Sequence, residues 1–152
     1  MLRKSMKALT IRQPWADLIA CGVKPMKALT IRQPYAGLIA CGVKTVEFRK
    51  RRVVSMIGER FAVHAGKAPS GWRLLATEPH SAVIAVATLA ECRLPTEEDE
   101  DQPGSGAGVQ FTWAWVLSDV VALPEPVPCR GRQGWWNLPP DVEAEVLRQL
   151  KC

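Results

Sequence analysis

The sequence has no apolar run that approaches the roughly 20 residues needed to span a bilayer, although apolar residues make up 47% of its 152 residues. Its first residues, MLRKSMK, are not followed by the apolar core of a signal peptide. Charged residues make up 23% of the chain, a fraction typical of folded globular proteins and not of disordered or fibrous ones. We therefore expect one compact cytoplasmic domain.

Several patterns that would carry enzyme chemistry are also missing. The five cysteines form no C-x-x-C pair and lack the Cys/His spacing of metal ligands; they are Cys21, Cys41, Cys92, Cys129 and Cys152. The sequence contains no glycine-rich phosphate loop and no ordered Ser/His/Asp set. We therefore expect reduced thiols, no bound metal and no cofactor.

The charges are distributed unevenly along the chain. The net charge is +5, yet the run EEDED at residues 97–101 carries five negative charges, so the remainder carries +10. Such a basic body suits a phosphate-bearing partner, because neutralising phosphates releases counterions, although it also suits a protein that is merely soluble. Residues 96–108 mix acids, Gly, Ser and Pro and can hardly pack, so the sequence predicts a mobile surface loop there.

The sequence contains one nearly identical repeat of 19 residues. MKALTIRQPWADLIACGVK, residues 6–24, returns as MKALTIRQPYAGLIACGVK, residues 26–44. Two near-identical copies do not make a solenoid, which stacks three or more diverged repeats. The first copy meets Pro25, which cannot donate to a strand ladder, whereas the second continues into TVEFR. We therefore assign residues 1–25 to a peripheral segment and residues 26–152 to the folded domain.

The second copy predicts a strand, a helix and another strand in close succession. Residues 28–31 read as a short strand, Pro34 is tolerated in the first turn of a helix, and Gly42 can supply the left-handed residue that ends it. Lys44 then follows the carbonyl end of the helix, which favours a cation. In TVEFR, residues 45–49, the valine and phenylalanine alternate with the charged residues and are expected to face the core.

Hydrophobic patterns predict the remaining elements: a half-buried strand with Phe61, Val63 and Ala65 on one side, a short helix at residues 71–76, a central strand at 81–89, a strand that turns Phe111, Trp113, Trp115 and Leu117 to one side, and an amphipathic helix at 140–151. Several short strands, an early helix and proline-rich connections indicate an α+β chain without regular βαβ alternation. We expect a small β-barrel with helices at its rim.

Three separated segments resemble the ASCH family, a branch of the PUA-like β-barrel superfamily: LTIRQPYAGLIACGVKTVEFR, the strand ending in HAGK, and PVPCRGRQGWW. The specific part is G-x-K-x-x-E-x-R, which is Gly42, Lys44, Glu47 and Arg49 here. The resemblance covers most of residues 26–138. It implies a small PUA-like β-barrel of about five to six strands, with a helix after the first strand, short peripheral helices and a cleft lined by the motif.

The resemblance also implies that the cleft binds RNA or a nucleotide-like ligand. Some family members are hydrolases, either ribonucleases or amidohydrolases that act on acetylated cytidine. In the amidohydrolase branch a threonine nucleophile lies three positions after the motif lysine, and here that position is Glu47, which weakens the acyl-transfer hypothesis. Binding is our first hypothesis, hydrolysis of RNA or a modified nucleoside with Lys44 and Glu47 as catalytic residues the second, and a protein-interaction module the third.

The candidate ligand-binding residues are cations with polar or aromatic companions: Arg32, Gln33, Pro34, Tyr35, Lys44, Thr45, Glu47, Arg49, Lys50, Arg51, Arg52, His64, Lys67, Arg130, Arg132 and Gln133. The motif's charged residues can grip a phosphate, or they can form an ion-pair network that only fixes the corner between helix and strand. Lys44 is expected to be a surface residue that contacts the ligand. A histidine at a strand end, such as His64, is more often structural than catalytic.

We predict that deleting residues 1–25 leaves a folded, monomeric domain, because only the second copy is joined to TVEFR. Near-identical segments can also compete for one site, so exchange between two chains is the alternative. Near-UV circular dichroism and size-exclusion chromatography of the truncated chain test this. Loss of the near-UV signal would contradict the assignment.

Overall fold

The structure is a computed structural model, and it describes residues 8, 10, 24–68 and 78–151. Its elements in chain order are β1 (Lys27–Ile31), α1 (Tyr35–Ala40), β2 (Val46–Arg49), β3 (Arg60–Ala65), β4 (Ala82–Arg93), two 3-10 turns (Glu97–Asp101 and Val109–Phe111), β5 (Trp113–Pro128), β6 (Trp135–Asn137) and α2 (Pro140–Leu150). The strands form one sheet in the order β2-β5-β4-β3-β1-β6, in which β1 and β3 are parallel and the other pairs antiparallel. The sheet curls into half a barrel, so the small α+β barrel predicted from the sequence is confirmed.

Two of the sequence predictions lie outside the described residues. These are the arrangement of the first copy of the repeat and the short helix at residues 71–76. In the described parts of the chain, no helix is both long and apolar enough to cross a membrane.

Apolar clusters cover both faces of the sheet. Phe61 of β3 belongs to the cluster that includes Ile39 of α1, called the first cluster below. Its neighbour Ala62 belongs to the second cluster, which includes Val146 of α2. The prediction of a half-buried β3 is therefore wrong, because a helix contributes to the cluster on each face of this strand. The amphipathic helix predicted near the carboxyl end is confirmed as α2, and the apolar side chain of Val142 joins the same cluster as Val146.

Helix α1 begins and ends as its sequence predicts. The Gln33 side-chain oxygen accepts a hydrogen bond from the Gly37 backbone N–H at 2.8 Å, which satisfies one of the free donors of the first turn. Gly42 has φ of 82°, and its N–H bonds to the Ile39 carbonyl at 3.0 Å. A left-handed residue at this position turns the chain out of the helix, so that Lys44 follows two residues later and β2 begins at Val46.

The long strands β4 and β5 form the centre of the sheet. The central strand predicted at residues 81–89 is confirmed, since β4 lies between β3 and β5 and is buried along most of that stretch. Trp115 and Leu117 of β5 face the first cluster as predicted. Phe111 does not, because it lies in a 3-10 turn before the strand begins, where strand alternation no longer applies, and it is 80% exposed.

Strand β2 turns its charged residues toward the inside of the curl. Glu47 is the register partner of Trp115, which belongs to the first cluster, so Glu47 and Arg49 share the sheet face of that cluster. The prediction that both apolar residues face the core is correct for Val46, which is 4% exposed, and incomplete for Phe48, which is half-buried. Ion pairs from two flanking cations allow the Glu47 carboxylate to lie on the inner side.

The acidic segment packs against the domain, contrary to the prediction that it can hardly pack. Asp99 is buried and accepts two hydrogen bonds from the Arg93 guanidinium, at 2.7 and 3.0 Å, and one from the Thr96 backbone N–H at 2.7 Å. The bonds from Arg93 hold the pKa of Asp99 below its usual range. The 3-10 turn is thus attached to the end of β4. Whether residues 96–108 are mobile in solution stays a prediction.

We predict that Gly42→Ala lowers the free energy of unfolding by about 1 kcal/mol, because an L-residue is strained at a left-handed φ. An added Cβ would meet no atom within 4 Å, so the loss is one of backbone conformation and not of packing. Gly106→Ala is the matched control, since its Cβ also meets nothing within 4 Å and its φ lies outside the left-handed region. Urea unfolding of both variants checks this, and equal stabilities would contradict it.

Candidate functional site

The charged residues of the predicted motif lie together. Lys44 Nζ lies 3.8 Å from Glu47 Oε1, and an Arg49 guanidinium nitrogen lies 3.4 Å from Glu47 Oε2. The short turn after α1 places Lys44 beside β2, and the alternation of β2 places Glu47 and Arg49 on one side. The three side chains therefore form a chain of cation, carboxylate and cation.

Lys44 lies in the interior, which contradicts the expectation that it is a surface residue. Only 1% of it is exposed, and its ammonium donates hydrogen bonds to the backbone carbonyls of Val46 and Pro103. Its Nζ is also 5.5 Å from the centre of the Tyr35 ring and 5.1 Å from that of Phe48. Burial lowers the pKa of Lys44, and the neighbouring Glu47 carboxylate opposes that shift.

Of the three residues that precede α1, Gln33 has side-chain hydrogen bonds, whereas Arg32 and Pro34 are exposed. Gln33 caps α1, and its amide also donates to the Pro79 carbonyl at 2.9 Å, so this side chain joins two segments of the chain. Thr45, although exposed, is bonded to the Gln102 side chain through its N–H at 3.0 Å and its hydroxyl at 3.2 Å.

A cleft of about 330 Å³ lies where β2 approaches β6, the two end strands of the sheet. It is lined by Leu29, the basic run at residues 49–52, Val53, Trp115, Gly134 and Trp135. The rings of Trp115 and Trp135 stack with centroids 5.6 Å apart and planes at 6°. The guanidinium of Arg49 lies 5.9 Å from the centre of the Trp115 ring, and that of Arg52 lies 5.5 Å from the centre of the Trp113 ring. Cations and indole rings thus occur together along this cleft.

His64 is buried and fully bonded, in line with the structural role expected for it. Its Nε2–H donates to the Cys129 carbonyl at 2.7 Å, so in the neutral ring Nδ1 accepts from the Thr30 hydroxyl at 3.2 Å. The Trp136 indole N–H donates in turn to Thr30 Oγ1 at 3.1 Å. Burial lowers the pKa of His64, and the bond to Cys129 opposes that shift.

The CRGRQGWW segment forms the rim of two further clefts. One, of about 540 Å³, is lined by Thr30, Lys67, Ser81, Arg130, Gly131, Arg132 and Gln133. The other, of about 770 Å³, is lined by Pro25, Lys27, Cys129, Arg130, Arg132, Trp135, Trp136, Asn137, Leu138 and Pro139. Arg130, Arg132 and Gln133 are exposed. The structure therefore brings Lys67, Arg130, Arg132 and Gln133 together, on a different side of Thr30 from the motif residues.

Thr30 connects these two groups, and sequence reasoning did not find it. Its carbonyl accepts a hydrogen bond from Arg49 at 3.0 Å, and its hydroxyl bonds to His64 and Trp136. A threonine inside an apolar strand carries no local signal of such a role. Pro103 and Gln102 were also missed, because the composition of their segment predicts a loop without contacts.

We predict that Lys44→Ala lowers the free energy of unfolding by about 2 kcal/mol, because two backbone carbonyls lose their hydrogen-bond donor and the Glu47 carboxylate loses an ion-pair partner. Lys24→Ala, the same residue in the first copy, is exposed and should change stability by no more than about 0.5 kcal/mol. Thermal and urea unfolding measure both variants. Equal stability in the two would show that the buried bonds of Lys44 contribute nothing.

No protein-family model matches the sequence, and no curated protein matches it either. Solved structures do match the fold. The ASCH protein of Zymomonas mobilis is 20% identical, with a TM-score of 0.53 over 83% of this chain and 95% of that one. Two single-substitution variants of the same protein give 20% identity and a TM-score of 0.53 over 84% of this chain and 99% of theirs. The resemblance in the sequence and the arrangement of the strands thus agree, and the chain has the fold of the ASCH domains.

Proposed function

We propose that the chain binds RNA or a nucleotide-like ligand across its three basic clefts. The observation that carries the proposal is the charge of the lining. In these clefts, as far as the chain is described, every charged lining residue is a lysine or an arginine: Lys27, Arg49, Lys50, Arg51, Arg52, Lys67, Arg130 and Arg132. A lining whose charges are all positive attracts a phosphate backbone, although Arg49 also forms an ion pair with the Glu47 carboxylate, which lies outside the lining.

The clefts adjoin one another, which suits an extended ligand. The two clefts of about 540 and 770 Å³ share Arg130 and Arg132, and the cleft of about 770 Å³ shares Trp135 with the cleft of about 330 Å³. A ligand with several phosphates can therefore contact cations in more than one cleft. Each volume by itself is within the usual size of small-molecule sites.

Aromatic rings within the basic surface favour a nucleotide over a simple anion. The half-buried Trp135 lines two of the clefts, and the guanidinium of Arg52 lies over the half-buried Trp113. Single-stranded nucleic acids are held by cations that follow the backbone and by aromatic or guanidinium planes on which bases stack. The combination supports RNA or a nucleotide-like molecule as the ligand class.

A hydrolase acting on RNA or on a modified nucleoside is the second candidate function. The observation that favours it is the pair of Lys44 and Glu47, since burial lowers the pKa of the lysine and the carboxylate lies 3.8 Å away. A lysine with a lowered pKa can accept and return a proton at neutral pH. Lys44 and Glu47 line none of the three clefts, but the pair adjoins the cleft of about 330 Å³ through Arg49, which lines that cleft and forms an ion pair with Glu47.

We predict weak, salt-sensitive binding of a fluorescein-labelled single-stranded RNA, measured by fluorescence polarisation. If about three phosphates are neutralised, log K falls with log salt at a slope near −2. Arg132→Gln should reduce the steepness of that slope by about 0.7, because one phosphate contact is lost. Arg60→Gln removes an exposed cation that lines none of the three clefts and should leave the slope unchanged.

Affinity that does not depend on salt, or equal effects of the two substitutions, would contradict binding through these clefts. Denaturing gels of the same RNA after incubation separate the two candidate functions. Intact RNA supports a binding module, whereas cleavage that disappears in Lys44→Ala supports the hydrolase.

A further inference from the structure

The ammonium of Lys44 is enclosed by the chain itself. Two donors of the ammonium bond to the Val46 and Pro103 carbonyls, and the Glu47 carboxylate forms an ion pair with it at 3.8 Å, so that only 1% of Lys44 is exposed. Two of these acceptors belong to the barrel, and the third, Pro103, belongs to the segment that follows the acidic 3-10 turn. An external anion can therefore reach Lys44 only after Pro103 has moved away.

The covering segment is attached firmly at its base and lightly at its tip. The base is the buried Asp99, which holds Arg93 of β4 through two bonds. The tip consists of Gln102 and Pro103, which contact Lys44 and Thr45 through three hydrogen bonds. The two bonds of Gln102 are exposed to solvent, where a hydrogen bond contributes little net stability.

The chain directly after the tip can change direction easily. Gly104 and Gly108 have φ of 85° and 95°, and Gly106 lies between them. A Cβ on Gly104 would lie in ordinary contact with Lys44 Nζ and the Tyr35 ring, both at 3.4 Å, so it is the φ of 85° and not a clash that favours glycine where the segment lies over the lysine. Glycines with few contacts are typical of segments that open locally.

The charge of the segment opposes an anionic ligand. Four of its five acidic residues are exposed and lie within a few residues of the tip: Glu97, Glu98, Glu100 and Asp101. While the segment is closed, these carboxylates repel a polyanion that approaches Lys44. Closure thus blocks the lysine in two ways, by occupying its donor and by presenting like charge.

We propose that residues 97–105 form an autoinhibitory lid that controls the access of anionic ligands to Lys44. The proposal rests on the proposed function only for the identity of the ligand, a phosphate-bearing molecule. In the open state a phosphate oxygen takes the place of the Pro103 carbonyl at the ammonium. A ligand that binds only the open state is weakened by the fraction of molecules that are closed.

Gln102→Ala tests the lid, because it removes two bonds of the tip without touching Lys44 or the basic clefts. The ligand-free protein is treated with an acetylating N-hydroxysuccinimide ester, and the modification of Lys44 is followed by peptide mass spectrometry relative to the exposed Lys67. Gln102→Ala should raise the relative rate at Lys44 about threefold, because the two lost bonds are exposed and each contributes little. Gln110→Ala, an exposed glutamine of the next 3-10 turn, is the matched control and should change nothing.

The affinity for labelled single-stranded RNA, measured on the same proteins, should rise in Gln102→Ala and not in Gln110→Ala. An unchanged rate at Lys44 overturns the lid, whatever the RNA affinity. A faster rate with unchanged RNA affinity overturns its inhibitory role. Faster modification in a protein that binds no RNA supports the lid and overturns only the proposed function.

Discussion

The contact between the two ends of the curled sheet is the interaction on which the site depends. Strands β2 and β6 are the end strands, and among the residues that the structure describes no strand pairing joins them. Side chains make the connection instead: Trp115 stacks on Trp135, and Arg49 donates to the carbonyl of Thr30. A stacked aromatic pair contributes about 0.5–1.5 kcal/mol beyond the area that it buries. Without this closure Arg49 and the basic residues that follow β2 would not line one cleft with Trp135 of β6.

The charged side chains beside the contact between the two ends of the sheet stabilise one another, beginning with the buried Lys44. A buried ammonium costs several kcal/mol unless it is paired and hydrogen-bonded, and Lys44 meets that condition through two carbonyls and Glu47. Arg49 shares the same carboxylate, so one anion serves two cations. Among these three side chains the positive charge therefore exceeds the negative charge by one.

Most of the architecture could be predicted from local sequence signals. Gly42 marked the end of α1, the apolar run at residues 81–89 marked the central strand, and the spacing of Val142 and Val146 marked α2. The motif residues were found together as well. Each of these signals lies within a few residues of the feature it specifies, as periodicity and capping rules require.

The errors concern contacts between residues that are distant in sequence. The burial of Lys44 depends on Pro103, 59 positions later, and nothing in the composition of an acidic, glycine-containing segment indicates that contact. The inward direction of Glu47 depends on the curl of the whole sheet, which alternation within five residues cannot show. Phe111 was misplaced because the strand begins two residues later than its pattern.

In the rim segment CRGRQG, residues 129–134, a glycine determines the backbone path, and the two arginines beside it supply the charge. A Cβ on Gly131 would lie 2.5 Å from Cε1 of His64 and 2.9 Å from Oγ1 of Thr30, so the backbone there admits glycine alone. Arg130 and Arg132 on either side are exposed. Natural substitution can therefore exchange the charges of the rim while its path stays fixed. Sequence change at these two surface positions would alter the charge of the rim without rebuilding the barrel that supports it.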